Sequence, residues 1–135
     1  MKLSENFSLS EFERSMMAER LGIDNAIPNE AQLNLRTLCV KVLQPLRELY
    51  GKPLRISSGY RCEALNKAVG GVPTSQHRLG EAADVQCEDG AVRLLHLLEE
   101  SDIVFDQAIL YRTFLHVSYR EGRNRMQVIY KSRRS

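Results

Sequence analysis

The sequence lacks the marks of several protein classes. Its three cysteines, Cys39, Cys62 and Cys87, are odd in number and follow no CxxC spacing. That argues against a disulfide framework and against a structural cysteine-zinc cluster, and it fits a reducing compartment. No apolar stretch approaches the length needed to cross a bilayer. The opening residues, Met1 to Phe7, hold no apolar core segment of the kind a signal peptide requires. Histidine is also scarce, with three in the chain, so imidazole chemistry has few places to reside.

The rest of the composition is ordinary for a globular protein. At 135 residues, 27% charged and 43% hydrophobic, the chain can bury one core but not two, so residues 1–135 read as a single domain and a monomer. The formal net charge of +2 conceals a gradient, because Arg120, Arg123, Arg125, Lys131, Arg133 and Arg134 make the segment 120–135 basic. Such a cluster can hold an anionic polymer. It reads more simply as a solvated terminal strand and tail, and no nucleic-acid partner is expected.

Hydrophobic spacing gives an α+β order of elements. In the N-terminal helical segment, 1–28, Ser10 and Glu13 have the spacing of a capping box, which predicts one helix from Ser10 to Leu21 stopped by Gly22. Leu35, Leu38, Val42, Leu46 and Leu49 mark one face of a long helix over 29–50, with a kink expected at Pro45. A strand over 54–57 leads to Gly59-Tyr60-Arg61, and a short helix over 63–69 stops at Gly70-Gly71. These glycines and Pro73 form a tight loop that aims Ser75 and His77. A strand over 82–87 carries Asp84, and Asp89 is placed to cap a helix over 90–100.

Residues 104–111, 114–119 and 126–131 read as three consecutive strands, expected to be antiparallel. The predicted fold is a small antiparallel sheet with helices packed on one side. If Arg112-Thr113 is a two-residue hairpin loop, Tyr111 pairs with Phe114, Ile109 with His116 and Gln107 with Ser118, all on one face. Gln107 and Tyr111 then point to the same side as His116, and Asp106 points away.

The chemistry gathers around Ser57-Ser58-Gly59-Tyr60-Arg61 and Ser75-Gln76-His77-Arg78-Leu79-Gly80-Glu81-Ala82-Ala83-Asp84. His77 and Asp84 stand seven residues apart with Gly80 between them, a spacing at which a loop can present both to one metal ion. Zinc accepts nitrogen and oxygen donors and in catalytic sites usually has three protein ligands. Of the other histidines, His96 flanks the apolar stripe of its helix and reads as a surface residue. His116 lies on a strand beside Phe114 and Ser118, and it is the obvious third ligand.

Ser58-Gly59-Tyr60-Arg61, Ser75-x-His77-x-x-Gly80-x-Ala82-x-Asp84 and Leu115-His116-Val117 resemble the three signature segments of the zinc D-alanyl-D-alanine carboxypeptidase family. That family includes VanX- and VanY-type enzymes and phage murein endopeptidases, and the resemblance covers the metal-site core, 54–120. It implies that His77, Asp84 and His116 hold Zn²⁺ and that Arg61 orients the substrate or polarises its carbonyl. Ser75 and Tyr60, within the matched segments, and Gln107 and Tyr111, through the hairpin register, are the candidate substrate-binding residues. The expected activity is that of a zinc metallopeptidase hydrolysing D-amino-acid-containing peptide bonds of peptidoglycan, as a carboxypeptidase or an endolysin-type endopeptidase. Its partner would be a peptidoglycan stem peptide. Cytoplasmic synthesis followed by phage-like release to the wall is the expected route.

One position departs from the family's pattern. Three residues before the last histidine, where the family usually has a general-base carboxylate, this sequence has Thr113. Glu81, Glu63 and Tyr111 are the nearby substitutes, with the carboxylates reading as surface groups and Tyr111 as core packing. The alternative is a non-hydrolytic zinc-binding module that recognises cell-wall peptide or a protein partner.

Overall fold

The computed structural model describes residues 1–131. Arg133 and Arg134 of the basic tail therefore lie outside the described residues. The chain opens with a small hairpin, β1 (Lys2–Ser4) and β2 (Phe7–Ser8), which the sequence reading did not separate from the helical segment. Leu3 and Phe7 bury their side chains in the main core. Ser4 Oγ and the backbone of Asn6 both donate to the Gln44 side-chain oxygen.

The single helix predicted over 10–21 is two helices, α1 (Leu9–Glu13) and α2 (Met16–Leu21). The capping box lies two residues earlier than expected, between Ser8 and Glu11. Arg14 leaves the helical region with ψ of 133°, and Ser15 caps α2 by accepting from the Ala18 amide. Tertiary bonds explain the break. The Phe12 carbonyl accepts from the Tyr60 amide and the Glu13 carbonyl from Asn25 Nδ2, so the last carbonyls of α1 bond to the loop beside the functional site instead of to a next helical turn.

The long helix runs as α3 (Asn29–Leu38), a π turn over Cys39–Leu43, and α4 (Gln44–Tyr50). Pro45 cannot donate into the ladder. The wider π turn immediately before it, in which the Gln44 amide reaches back to the Cys39 carbonyl, accommodates that loss inside a continuous helical run. Leu35, Leu38, Val42, Leu43 and Leu46 are fully buried along its inner face.

After Gly51 the chain enters β3 (Arg55–Ser58), then α5 (Glu63–Ala68), a 3₁₀ turn (Gln76–Leu79), β4 (Ala82–Gln86) and α6 (Ala91–Glu99). Asp89 does not cap α6. Gly90 occupies that position, while Asp89 accepts from the Tyr50 hydroxyl and Lys52. The last strands are β5 (Gln107–Leu110), β6 (Leu115–Ser118) and β7 (Gln127–Tyr130).

The five-stranded sheet has the order β3-β4-β6-β5-β7, and the fold is α+β. The predicted hairpin register is found, with Ile109 opposite His116. The expectation of three mutually antiparallel strands requires correction, because β7 runs parallel to β5 on its outer edge. Both edges of β6 are already taken, by β4 and β5. The returning chain adds instead at the free edge of β5, the strand next to β6.

Strand alternation separates core from site. Ala83 and Val85 on β4, Leu115 and Val117 on β6, and Ala108 on β5 are fully buried within the same core as Leu94, Leu95 and Leu98 of α6. The opposite phase of those strands, with Asp84, Gln107, Ile109 and His116, lines a cleft of about 640 Å³.

Candidate metal centre

Asp84 and His116 are direct cross-strand partners in the β4–β6 ladder. Any shift of one residue would turn one of them into the core, so the buried face of the sheet fixes the pair. His77 arrives from the 3₁₀ turn, where Ser75 Oγ accepts from the His77 amide. Gly80 ends that turn with φ of +76°, and a Cβ there would collide with the Ala31 carbonyl of α3. The glycine thus allows both the left-handed turn and its close packing on the long helix.

The ligand atoms of His77, Asp84 and His116 all lie within 4.8 Å of one another. Asp84 Oδ1 is 3.3 Å from His77 Nε2 and 3.0 Å from His116 Nδ1. The other nitrogen of His77, Nδ1, is 2.7 Å from the Gly59 carbonyl. A carbonyl only accepts, so that nitrogen carries the proton, and in neutral imidazole Nε2 then presents a lone pair. A lone pair and a carboxylate oxygen at 3.3 Å repel unless a cation lies between them or the ring takes a second proton. Two imidazole nitrogens and one carboxylate oxygen are the donor types zinc accepts. The Gly59 bond supplies the orienting contact that metal-ligating histidines ordinarily have. The residues therefore fit a three-ligand zinc site.

Burial pushes the Asp84 carboxyl up, but where the facing nitrogens of His116 and His77 carry protons their hydrogen bonds and charge pull it further down, below the usual carboxylate range. Arg61 adds a guanidinium 3.7 Å from Asp84 Oδ2. Its side chain is held by Ser58 Oγ and Asn66 Oδ1, and its amide donates to the His77 carbonyl. Asn25, buried, fixes the same loop by donating to the Tyr60 carbonyl and accepting from the Cys62 amide. Gly59 is required because the backbone of Phe12 packs where its Cβ would be.

A family model described as Peptidase M15 matches residues 5–118. The chain belongs to the peptidase M15 family. No curated protein matches it. Membership and the donor cluster together make this M15 chain a metallopeptidase in general outline.

The candidate residues separate into groups. Arg61, Ser75, His77, Asp84, Gln107, Tyr111 and His116 all line the cleft of this M15 chain. Tyr60 does not. It is packed into the hydrophobic core, so its predicted role as a substrate contact gives way to one in holding the Gly59–Arg61 loop against α1. Ser75 is occupied in part as the cap of the His77 turn.

Thr113 is exposed and does not line the cleft, and its carbonyl accepts from Gln86 Nε2. The hairpin position that faces the cleft is Tyr111, stacked on Phe114 at 4.5 Å between ring centres. Glu63 is exposed as expected. Glu81 is not a free surface carboxylate, because Arg120 donates to it at 3.0 and 3.1 Å.

The sequence reading gave Gln76, Asp106, Arg120 and Arg125 no role at the site: it placed Asp106 away from the His116 face and the two arginines in a solvated basic segment, whereas both arginines line the cleft. Asp106 is fully buried and accepts from the Arg125 backbone, Arg125 Nε and Nη2, and Gln76 Nε2. A buried carboxylate is ordinarily paired, and Arg125, in the crossover after β6, supplies the partner.

Proposed function

We propose that the chain is a zinc-dependent peptidase that hydrolyses D-amino-acid-containing peptide bonds of peptidoglycan. The observation that carries the reading is the convergence of His77, Asp84 and His116 on one point of an open cleft, with the Arg61 guanidinium beside them. Zinc, when held by these three residues, supplies Lewis acidity toward a carbonyl and lowers the pKa of water to about 7. The protein's own residues divide the remaining tasks. Arg61, largely buried and tied to Ser58 and Asn66, keeps a positive charge where negative charge develops or where a substrate carboxylate rests. Tyr111 is a neutral hydroxyl, because burial and the charge of Asp84 both push its pKa up, so it donates a hydrogen bond rather than accepting a proton.

A second reading has one observation in its favour. Among the described residues, Asp84 is the sole carboxylate lining the cleft, and it belongs to the metal cluster. A cleft without a separate general base suits a non-hydrolytic module that binds cell-wall peptide. Release of fluorescent label from peptidoglycan separates the two. Zinc-dependent release that chelator abolishes supports the peptidase, whereas tight binding without release by fully zinc-loaded protein overturns it.

A further inference from the structure

The cleft is polarised along β5 and β6 by groups outside the metal cluster. Same-face residues on a strand stand about 6.8 Å apart, so the floor is a series of rungs. Tyr111 and Phe114 form an aromatic rung at the hairpin end, and Ile109 and His116 form the middle rung. At the far end Gln107 lies at the level of Ser118, whose Oγ accepts from the Gln107 amide. Beyond it stand Arg120 and Arg125, both lining the cavity.

Both guanidinium groups are held from behind. Arg125 donates through Nε and Nη2 to the two oxygens of Asp106, each at 2.8 Å. Arg120 donates through Nε and Nη2 to Glu81 Oε1. Gln76 Nε2 links the two carboxylates, at 3.0 Å from Asp106 and 3.3 Å from Glu81. Neither carboxylate lines the cavity. In each arginine Nη1 has no hydrogen-bond partner among the described residues, so a fixed donor edge remains for something else. Pre-ordered planar donors of this kind match a carboxylate. The paired carboxylates behind them offset part of the positive charge, which suits a singly charged group better than a dianion.

We propose that Arg120 and Arg125 form a carboxylate subsite for the peptide substrate, beyond the Gln107–Ser118 rung from the His77–Asp84–His116 cluster. An extended peptide covers about 3.3–3.6 Å per residue, so the recognised carboxylate lies at least about two residues from the bond that is cut. The identity of the ligand rests on the peptidase reading above. Two groups in a stem peptide carry this chemistry: the α-carboxylate of a γ-linked D-glutamate and the carboxylate at the peptide's C-terminus.

The test uses the full zinc-loaded chain and a stem pentapeptide in three forms: free acid, amidated at D-glutamate, and amidated at the C-terminus. Affinity is read by calorimetry at low temperature, and contact is read from the arginine Nε–Hε resonances. One amidation is expected to weaken binding about tenfold, and that difference should disappear in Arg120→Gln. The amidation that has this effect identifies which carboxylate the subsite takes. Arg125→Lys, which keeps the charge over buried Asp106, should retain part of the discrimination and guards against a folding failure in Arg125→Gln. Equal affinity for all three forms, or discrimination that persists unchanged in folded Arg120→Gln, overturns the subsite, as does the absence of binding by any form. Failure to hydrolyse, with Arg120-dependent binding intact, instead leaves the subsite standing and removes the peptidase reading.

Discussion

Two aspartates, Asp84 on β4 and Asp106 immediately before β5, show how differently one fold can treat a buried carboxylate. Asp106 is satisfied by the protein alone, since a bidentate guanidinium, a backbone amide and an amide side chain surround it. Asp84 has two imidazoles crowded on a single oxygen and a guanidinium 3.7 Å from the other. One imidazole already spends its proton on the Gly59 carbonyl. Asp106 is thus a strut that closes the crossover to β7, and Asp84 belongs to a donor set that fits a cation. Removing partners from each should therefore have different consequences: loss of metal at one, loss of stability at the other.

The largest effect expected is on the Asp84 side. His116→Ala should abolish retention of zinc and reduce kcat/KM on a murein peptide by at least about 10³-fold, or about 4 kcal/mol of barrier. Elemental analysis and kinetics check it together, and full zinc content in the variant would dissolve the contrast. On the Asp106 side, Arg125→Ala leaves a fully buried carboxylate without its cation. Chemical denaturation should show a loss of about 3 kcal/mol, a value at the low end for a broken buried pair because the Arg125 side chain is 54% exposed. Zinc content should be unchanged, which His116→Ala cannot match.

Arg61→Ala should fall between the two. It touches Asp84 but is not a ligand, so zinc and fold should persist while turnover falls about 10²-fold. Unchanged turnover in zinc-loaded, folded protein would reduce Arg61 to a loop contact. Acid distinguishes the aspartates again. Hydrogen bonds from Arg125 hold the Asp106 carboxyl at about 2, below its ordinary 3.8. A depressed folded pKa contributes stability above the unfolded value and loses it as pH falls through the folded one. Wild type should therefore lose stability between about pH 4 and pH 2 that Asp106→Asn does not, as denaturation at stepped pH would show. Asp84 titrates in both proteins and cancels from the difference.

The legible part of this molecule was the part governed by local spacing. The face carrying His116 followed from alternation, and the β5–β6 register from alternation together with a two-residue Arg112-Thr113 loop; the loop that aims Ser75 and His77 was read from its glycines and Pro73, though not its 3₁₀ turn. The illegible parts depend on tertiary partners. The break between α1 and α2 exists because Tyr60 and Asn25, far along the chain, take the helix's last carbonyls. β7 turned parallel because β4 had occupied the edge of β6 that a meander would have used. Asp106 and Glu81 gave no sign of their guanidinium partners, because ion pairs 19 and 39 residues apart leave no periodic trace.

The smallest effect expected concerns Thr113, where a carboxylate would complete the usual family pattern. Its side chain is exposed at the tip of the hairpin, outside the cleft, and the strand phase that faces the metal cluster is carried by Tyr111 instead. Thr113→Glu should therefore deliver its charge to solvent and change kcat by less than about tenfold, or roughly 1.4 kcal/mol. Tyr111→Glu places the same group on the facing rung, next to Arg61 and Asp84. If a missing base limits turnover, the Tyr111 variant should gain activity and the Thr113 variant should not. Steady-state kinetics on one murein peptide, with zinc content matched, reads both. A large gain from Thr113→Glu alone would mean that the hairpin tip folds inward over the substrate, and the assignment of Tyr111 as the facing residue would fall with it.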